Sequence, residues 1–194
     1  MGERIRFSEQ QLTLDDVQAF YQEARVSIEQ FLSQSSDALV ARDEPECIAT
    51  NLQGVLEELD HLSALSAMAS LEATLRLNYL RRVYRRLRDP LSRAMRLLHH
   101  QKAHRARLEG DLIRLWRDEA HVREALLRGI ARAFEYRHWL AHGRYWTLKL
   151  GYDHDFLTVL EIAGEFIAAM QDYDAKFCRD IPRSARERQR NRSP

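Results

Sequence analysis

From residue 51 to residue 88 the chain contains no proline and a single glycine, and its apolar residues return every third or fourth position. Leu52, Leu56, Leu59, Leu62, Leu71, Leu75, Leu80, Val83, Tyr84 and Leu87 carry that rhythm until it stops at Asp89-Pro90. A stripe of this period covers one face of a helix and does not alternate across a strand. The composition agrees: seven Gly, four Pro, no β-branched runs, and an excess of Leu, Ala, Arg and Glu. The chain reads as all-α. A helix over residues 51–88 is unusually long, so a bend is expected at residues 63–70.

The other helices follow from caps and stripes. Thr13 followed by Asp16 marks a start, although the reciprocal capping box favours Glu or Gln at the second place. Val17, Phe20, Tyr21, Ala24, Ile28, Phe31 and Leu32 then form an apolar face as far as about Leu39. Residues 42–48, with Pro45, read as a loop, and Thr50 with Gln53 as the box that opens the long helix. A polar, basic segment over 91–109 ends near Gly110. A helix from about 111 to 142, interrupted near 117–120, ends at Gly143. Asp155 caps a last helix bearing Phe156, Val159, Leu160, Ala163, Ile167, Met170 and Phe177. There is no internal repeat. The expectation is one domain over residues 1–181, an up-and-down bundle of about five helices. Residues 182–194, with five Arg and one apolar residue, read as a disordered tail that would add salt-sensitive affinity for a polyanion.

Charge is segregated. Residues 1–75 hold four basic against fourteen acidic side chains, and residues 76–107 hold eleven basic side chains against Asp89 alone. The clustered Arg81, Arg82, Arg85, Arg86 and Arg88 repel one another on an isolated helix, so they call for an acidic helix or a polyanion opposite. No run is long and apolar enough for a membrane span, and residues 1–10 show no signal-peptide core. Cys47 and Cys178 form no Cys-x-x-Cys motif, which favours a reducing cytoplasm and leaves one disulfide possible.

The densest chemistry lies in residues 134–146, with two His, two Arg, one Glu and five aromatics. Ile130, Ala133, Phe134, Arg137 and Ala141 share one helical stripe, so Arg137 stands where an apolar side chain is expected. A guanidinium cannot discharge on burial and needs a carboxylate, a phosphate or a partner chain.

Arg137-His138-Trp139-Leu140-Ala141-His142, followed by Gly143, resembles the signature of HEPN-domain proteins. In these an Arg and a His are separated by four to six intervening residues, and Asn, Asp or His commonly follows the Arg. The bundle upstream and the one helix downstream fit as well. The resemblance implies a HEPN-like fold and a metal-independent endoribonuclease, without cofactor or metal, working as a cytoplasmic homodimer. It also implies the toxin of a toxin–antitoxin or defence system, with an antitoxin as a possible partner. His142 would be general acid or base, Arg137 the phosphate clamp and His138 a positioning group, with Arg144, Tyr145, Arg81 and Arg85 along the RNA. Residues five apart lie about 140° around a helix, so one chain presents Arg137 and His142 obliquely, and two chains on a two-fold axis could converge both pairs on one phosphate. Glu72 resembles an acidic position upstream of the family motif and is a candidate partner for Arg137. Some toxin members carry a modifiable Tyr two places after the His; here that place is Arg144, and Tyr145 comes one later.

Other readings stand beside this one. Arg137 can be a structural ion pair, to Glu135, Glu72 or a neighbouring helix, and His142 a cation at a helix C-terminus. Trp139 and Trp146 read as core or interface aromatics. His99, His100 and His104 carry metal-compatible spacing on what reads as a solvated face. Glu58-x-x-His61 and Glu135-x-x-His138, with Glu29 and Glu161 or Glu165, match the ligand set of a di-metal bundle. A HEPN-like dimer that binds without cleaving is the remaining alternative.

Overall fold

The computed structural model describes residues 5–40, 45–147 and 155–177, and side chains at 5–31, 53–147 and 155–177. All regular structure among them is helical. Six α-helices are found where about five were expected: α1 (Leu14–Val40), α2 (Pro45–Arg85), α3 (Pro90–Lys102), α4 (Arg114–Ala120), α5 (Glu124–Ala141) and α6 (Phe156–Phe177). A 3₁₀ turn at Ala103–Arg105 and a π-helical turn at Leu108–Ile113 join α3 to α4. Cys47, Cys178 and the tail at 182–194 lie outside the described side chains, so the possible disulfide does too; Thr50 lies within α2 and does not open it. No helix among the described residues is long and apolar enough to cross a membrane.

The ends of the helices show which local signals decide. The Thr13 hydroxyl accepts from the Asp16 N–H at 3.1 Å and the Asp16 carboxylate accepts from the Thr13 N–H at 2.9 Å, so the shorter Asp closes the reciprocal box. Residues 45–48, expected as loop, belong to α2, which starts on Pro45. Proline suits a first helical position, where its fixed φ is already helical and its missing N–H costs nothing. α2 then continues as one 41-residue helix through residues 63–70, about 60 Å at 1.5 Å per residue. The break between α4 and α5 falls at residues 121–123 rather than 117–120, with His121 left-handed at φ 54°. At the end of α5, the Gly143 N–H reaches Leu140 O at 3.4 Å and the Arg144 N–H reaches Trp139 O at 3.1 Å. This is the Schellman closure, and Gly143 takes the positive φ (83°) that it requires. Asp155 caps α6 by accepting from the Thr158 N–H at 2.7 Å.

Long-range contacts fix the directions. Tyr84 accepts from the Ile5 N–H, and the Ser70 hydroxyl donates to Leu12 O, so the N-terminal segment and α1 descend along α2. α3 turns back beside α2, since Tyr79 donates to Ala103 O. α6 runs the same way as α2: its start packs Phe156 on Tyr21, and its end meets Asn78 through Asp174. α5 is antiparallel to α6, with Arg123 on Glu165 and Gly129 against Ile162. α2 is therefore the axis of the bundle. Met68, Leu71, Leu75, Leu91, Met95, Leu112, Trp116, Ile130, Phe156, Val159 and Phe166 fill the core around it. Of the expected α1 stripe, Val17 and Tyr21 are buried, whereas Phe20 and Phe31 are 63% and 65% exposed.

At the far end of α2 sits a buried polar hub. The Arg82 side chain is fully enclosed; it donates to Asn78 at 2.7 Å, Asp89 at 3.0 Å and Ser92 at 2.9 Å, and to Asp174. Its guanidinium lies over the rings of Trp116 and Tyr173, at 5.5 and 5.2 Å. Tyr173 also donates to Asp89 at 3.1 Å. One side chain thus ties α2, the Asp89 turn, α3, α4 and α6 together.

Candidate active site at the end of the fifth helix

Ile130, Ala133 and Phe134 bury their side of α5 against the bundle, and the same stripe carries Arg137 towards α2. One Arg137 terminal nitrogen lies 3.7 Å from Glu72 Oε2, the expected partner, and the arginine remains 38% exposed. The pair is loose. Glu72 Oε1 is taken by Arg76 at 2.8 Å, and Arg137 Nε is buried with no hydrogen-bond partner among the described residues. The arginine expected to be the misplaced charge is therefore half-open, while the enclosed one is Arg82. The missed signal for Arg82 was in the sequence: Leu71, Leu75, Asn78 and Arg82 step by three or four along the buried face of α2.

His138 and His142 stand one turn apart on the outer side of α5, both exposed, with ring centroids 4.2 Å apart. Arg137 faces Glu72 of α2, whereas His142 is exposed. Behind them Trp139 donates its indole N–H to Trp146 O at 2.7 Å, which pins the chain after Gly143. Trp146 comes within 6.0 Å of the His138 ring, and Tyr145 is 83% exposed beside it. Arg144 pairs with Glu58 of α2, at 2.7 Å.

On the inner side, His61 Nδ1 and the Tyr136 hydroxyl share a hydrogen bond of 2.8 Å. Burial, followed by the charge of Asp60, pushes the Tyr136 phenol up to about 12. Glu58 and His61 are thus engaged by Arg144 and Tyr136. Among the described residues no three carboxylate, Cys or His side chains are grouped to hold a metal, which removes the di-metal arrangement and the His99, His100 and His104 set. His99 itself is held below its usual range by burial and by His100 and His104.

Arg81 and Arg85 are not brought to this site. By the 3.6-residue turn they lie about 140–180° around α2 from Glu72. Arg81 covers the Phe7 ring at 5.8 Å, and Arg85 is exposed. No protein-family model, curated protein or solved structure matches the chain.

Proposed function

We propose that the chain is a HEPN-like, metal-independent endoribonuclease that acts as a homodimer, in the manner of a toxin held in check by an antitoxin. The observation that carries the reading is the end of α5, where an exposed imidazole pair stands one and five residues after an arginine held only loosely by Glu72. A phosphate can compete for such a guanidinium, since a half-exposed ion pair contributes little.

The chemistry asks for few parts. An imidazole, His142, takes the proton of a ribose 2′-hydroxyl; that oxygen attacks the adjacent phosphorus, and the bond to the 5′-oxygen breaks. A second imidazole returns a proton to the leaving oxygen. Arg137 meets the charge that builds on the phosphoryl oxygens with a two-pronged donor. One chain presents Arg137 and His142 on different sides of α5, so a second copy completes the set around a two-fold axis. Exposed Val55, Leu62 and Ala69 recur every seven residues on α2, about 60–100° around from Glu72, and offer that copy an apolar seam beside the motif. Tyr145, 83% exposed, would be available for an unstacked base to stack on.

The test is cleavage of a mixed-sequence RNA by the wild-type chain, Arg137→Ala and His142→Ala. Loss of at least a hundredfold in each variant is expected. Undiminished cleavage in both means that the motif is not the active site.

A further inference from the structure

The contact between His138 and His142 has a chemistry of its own. Two imidazoles four residues apart on one helical face is the spacing with which helical zinc sites grip their metal. Both rings are exposed and already touch, at 4.2 Å between centroids. A metal bound about 2.0–2.1 Å from one nitrogen of each ring fits between them after small rotations of two free side chains. Among the described residues no third His, Cys or carboxylate ligand is grouped with this pair. Such a site leaves its remaining coordination positions to water, so it exchanges its metal instead of locking it in.

We propose that His138 and His142 chelate a divalent transition ion of the imidazole-preferring class, Cu²⁺ more tightly than Zn²⁺, and that the bound ion shuts off the chemistry of His142. The order of the two metals follows the general affinity series for nitrogen ligands. The shut-off rests on the proposed ribonuclease reading: a nitrogen lone pair given to a metal cannot accept a proton. The metal is an inhibitor here and takes no part in the cleavage. Trp146, 6.0 Å from the His138 ring, is placed to report on it, because Cu²⁺ quenches a nearby indole.

The full-length chain is titrated with Cu²⁺ and with Zn²⁺, following heat and tryptophan fluorescence, with circular dichroism to confirm that each variant stays helical. One ion per chain at this site is expected. His138→Ala and His142→Ala should each lose it, His100→Ala should keep it, and Trp146→Phe should keep the heat but lose most of the quenching. Wild-type binding in both His138→Ala and His142→Ala overturns the site. In the cleavage assay, saturating Zn²⁺ should slow the wild type at least tenfold, reversibly on adding a chelator, while whatever cleavage His138→Ala retains should ignore the metal. Cleavage by the wild type that ignores bound Zn²⁺ overturns the shut-off. If the chain cleaves no RNA at all, the nuclease reading and the shut-off fall together, and the titration still decides the metal site.

Discussion

Replacing Arg82 by Ala should be the most damaging single change in the bundle. The substitution removes donors to Asn78, Asp89, Ser92 and Asp174 at once and opens space against Trp116 and Tyr173. Asp174 keeps some water, but the Asp89 carboxylate is only 2% exposed; it also accepts from the Ser92 N–H and the Tyr173 hydroxyl, neither of which carries a charge. Breaking a buried pair by deleting one partner costs about 3–5 kcal/mol, because the other charge is left uncompensated. For a domain of this size that corresponds to a fall in Tm of roughly 6–20 °C. Urea unfolding followed at 222 nm measures it. A companion variant, Arg82→Met with Asp89→Asn and Asp174→Asn, removes the charges together and should recover much of the loss, since a neutral interior need not compensate any ion. A loss below about 1 kcal/mol in Arg82→Ala, or a triple variant no better than the single one, would refute the hub.

Three further predictions follow from particular groups. Burial holds Tyr136 and Tyr173 up to about 12, against 10.0 in the unfolded chain, and raises Tyr79 as well. The folded state therefore resists losing these protons: stability is intact below about pH 10 and falls as the pH rises towards about 12. Urea midpoints across that range should show the fall, with a shallower slope in Tyr136→Phe, and an equal slope in that variant would contradict the cause given. Gly143→Ala meets no atom within 4 Å but must adopt φ 83°, so it should cost about 1–2 kcal/mol and fray the end of α5, with Gly143→Asn costing less. Chemical denaturation checks this, and a neutral Ala would mean that the closure is not under strain. Glu72→Gln breaks only a half-exposed pair at 3.7 Å and a shared contact to Arg76, so stability should change by less than about 1 kcal/mol while RNA cleavage persists. Abolished cleavage there would give Glu72 a larger part than holding Arg137.

What was legible in the sequence was local. Thr13 with Asp16, Gly143 and Asp155 each settle a helix end through bonds within a few residues, and each could be read directly. Pro45 was misread because the same residue breaks a helix or begins one, depending on which side of it is helical. The break at 121–123 carries no Gly or Pro; His121 adopts a left-handed conformation that nothing nearby announces. Five arginines between 81 and 88 look alike in composition, yet Arg82 is enclosed and Arg85 is exposed. The three-to-four step from Leu71 reaches Arg82 and continues to Arg85, so it does not separate them; what encloses Arg82 includes Asp174, which lies 92 residues on. For the site, the spacing of Arg137, His138 and His142 set the geometry around α5, but not the openness of Arg137. That depends on how Glu72 divides itself between two arginines.

The central claim is that Arg137 and His142 form a site that cleaves RNA through its own 2′-hydroxyl. The most direct measurement is the chemistry of the cut ends when the purified chain acts on a short RNA in excess chelator. The account predicts cleavage leaving 2′,3′-cyclic phosphate and 5′-hydroxyl ends, lost when the 2′-hydroxyl beside the cut is replaced by hydrogen. Cleavage that needs added metal, or leaves 5′-phosphate ends, or proceeds on the 2′-deoxy substrate would contradict it.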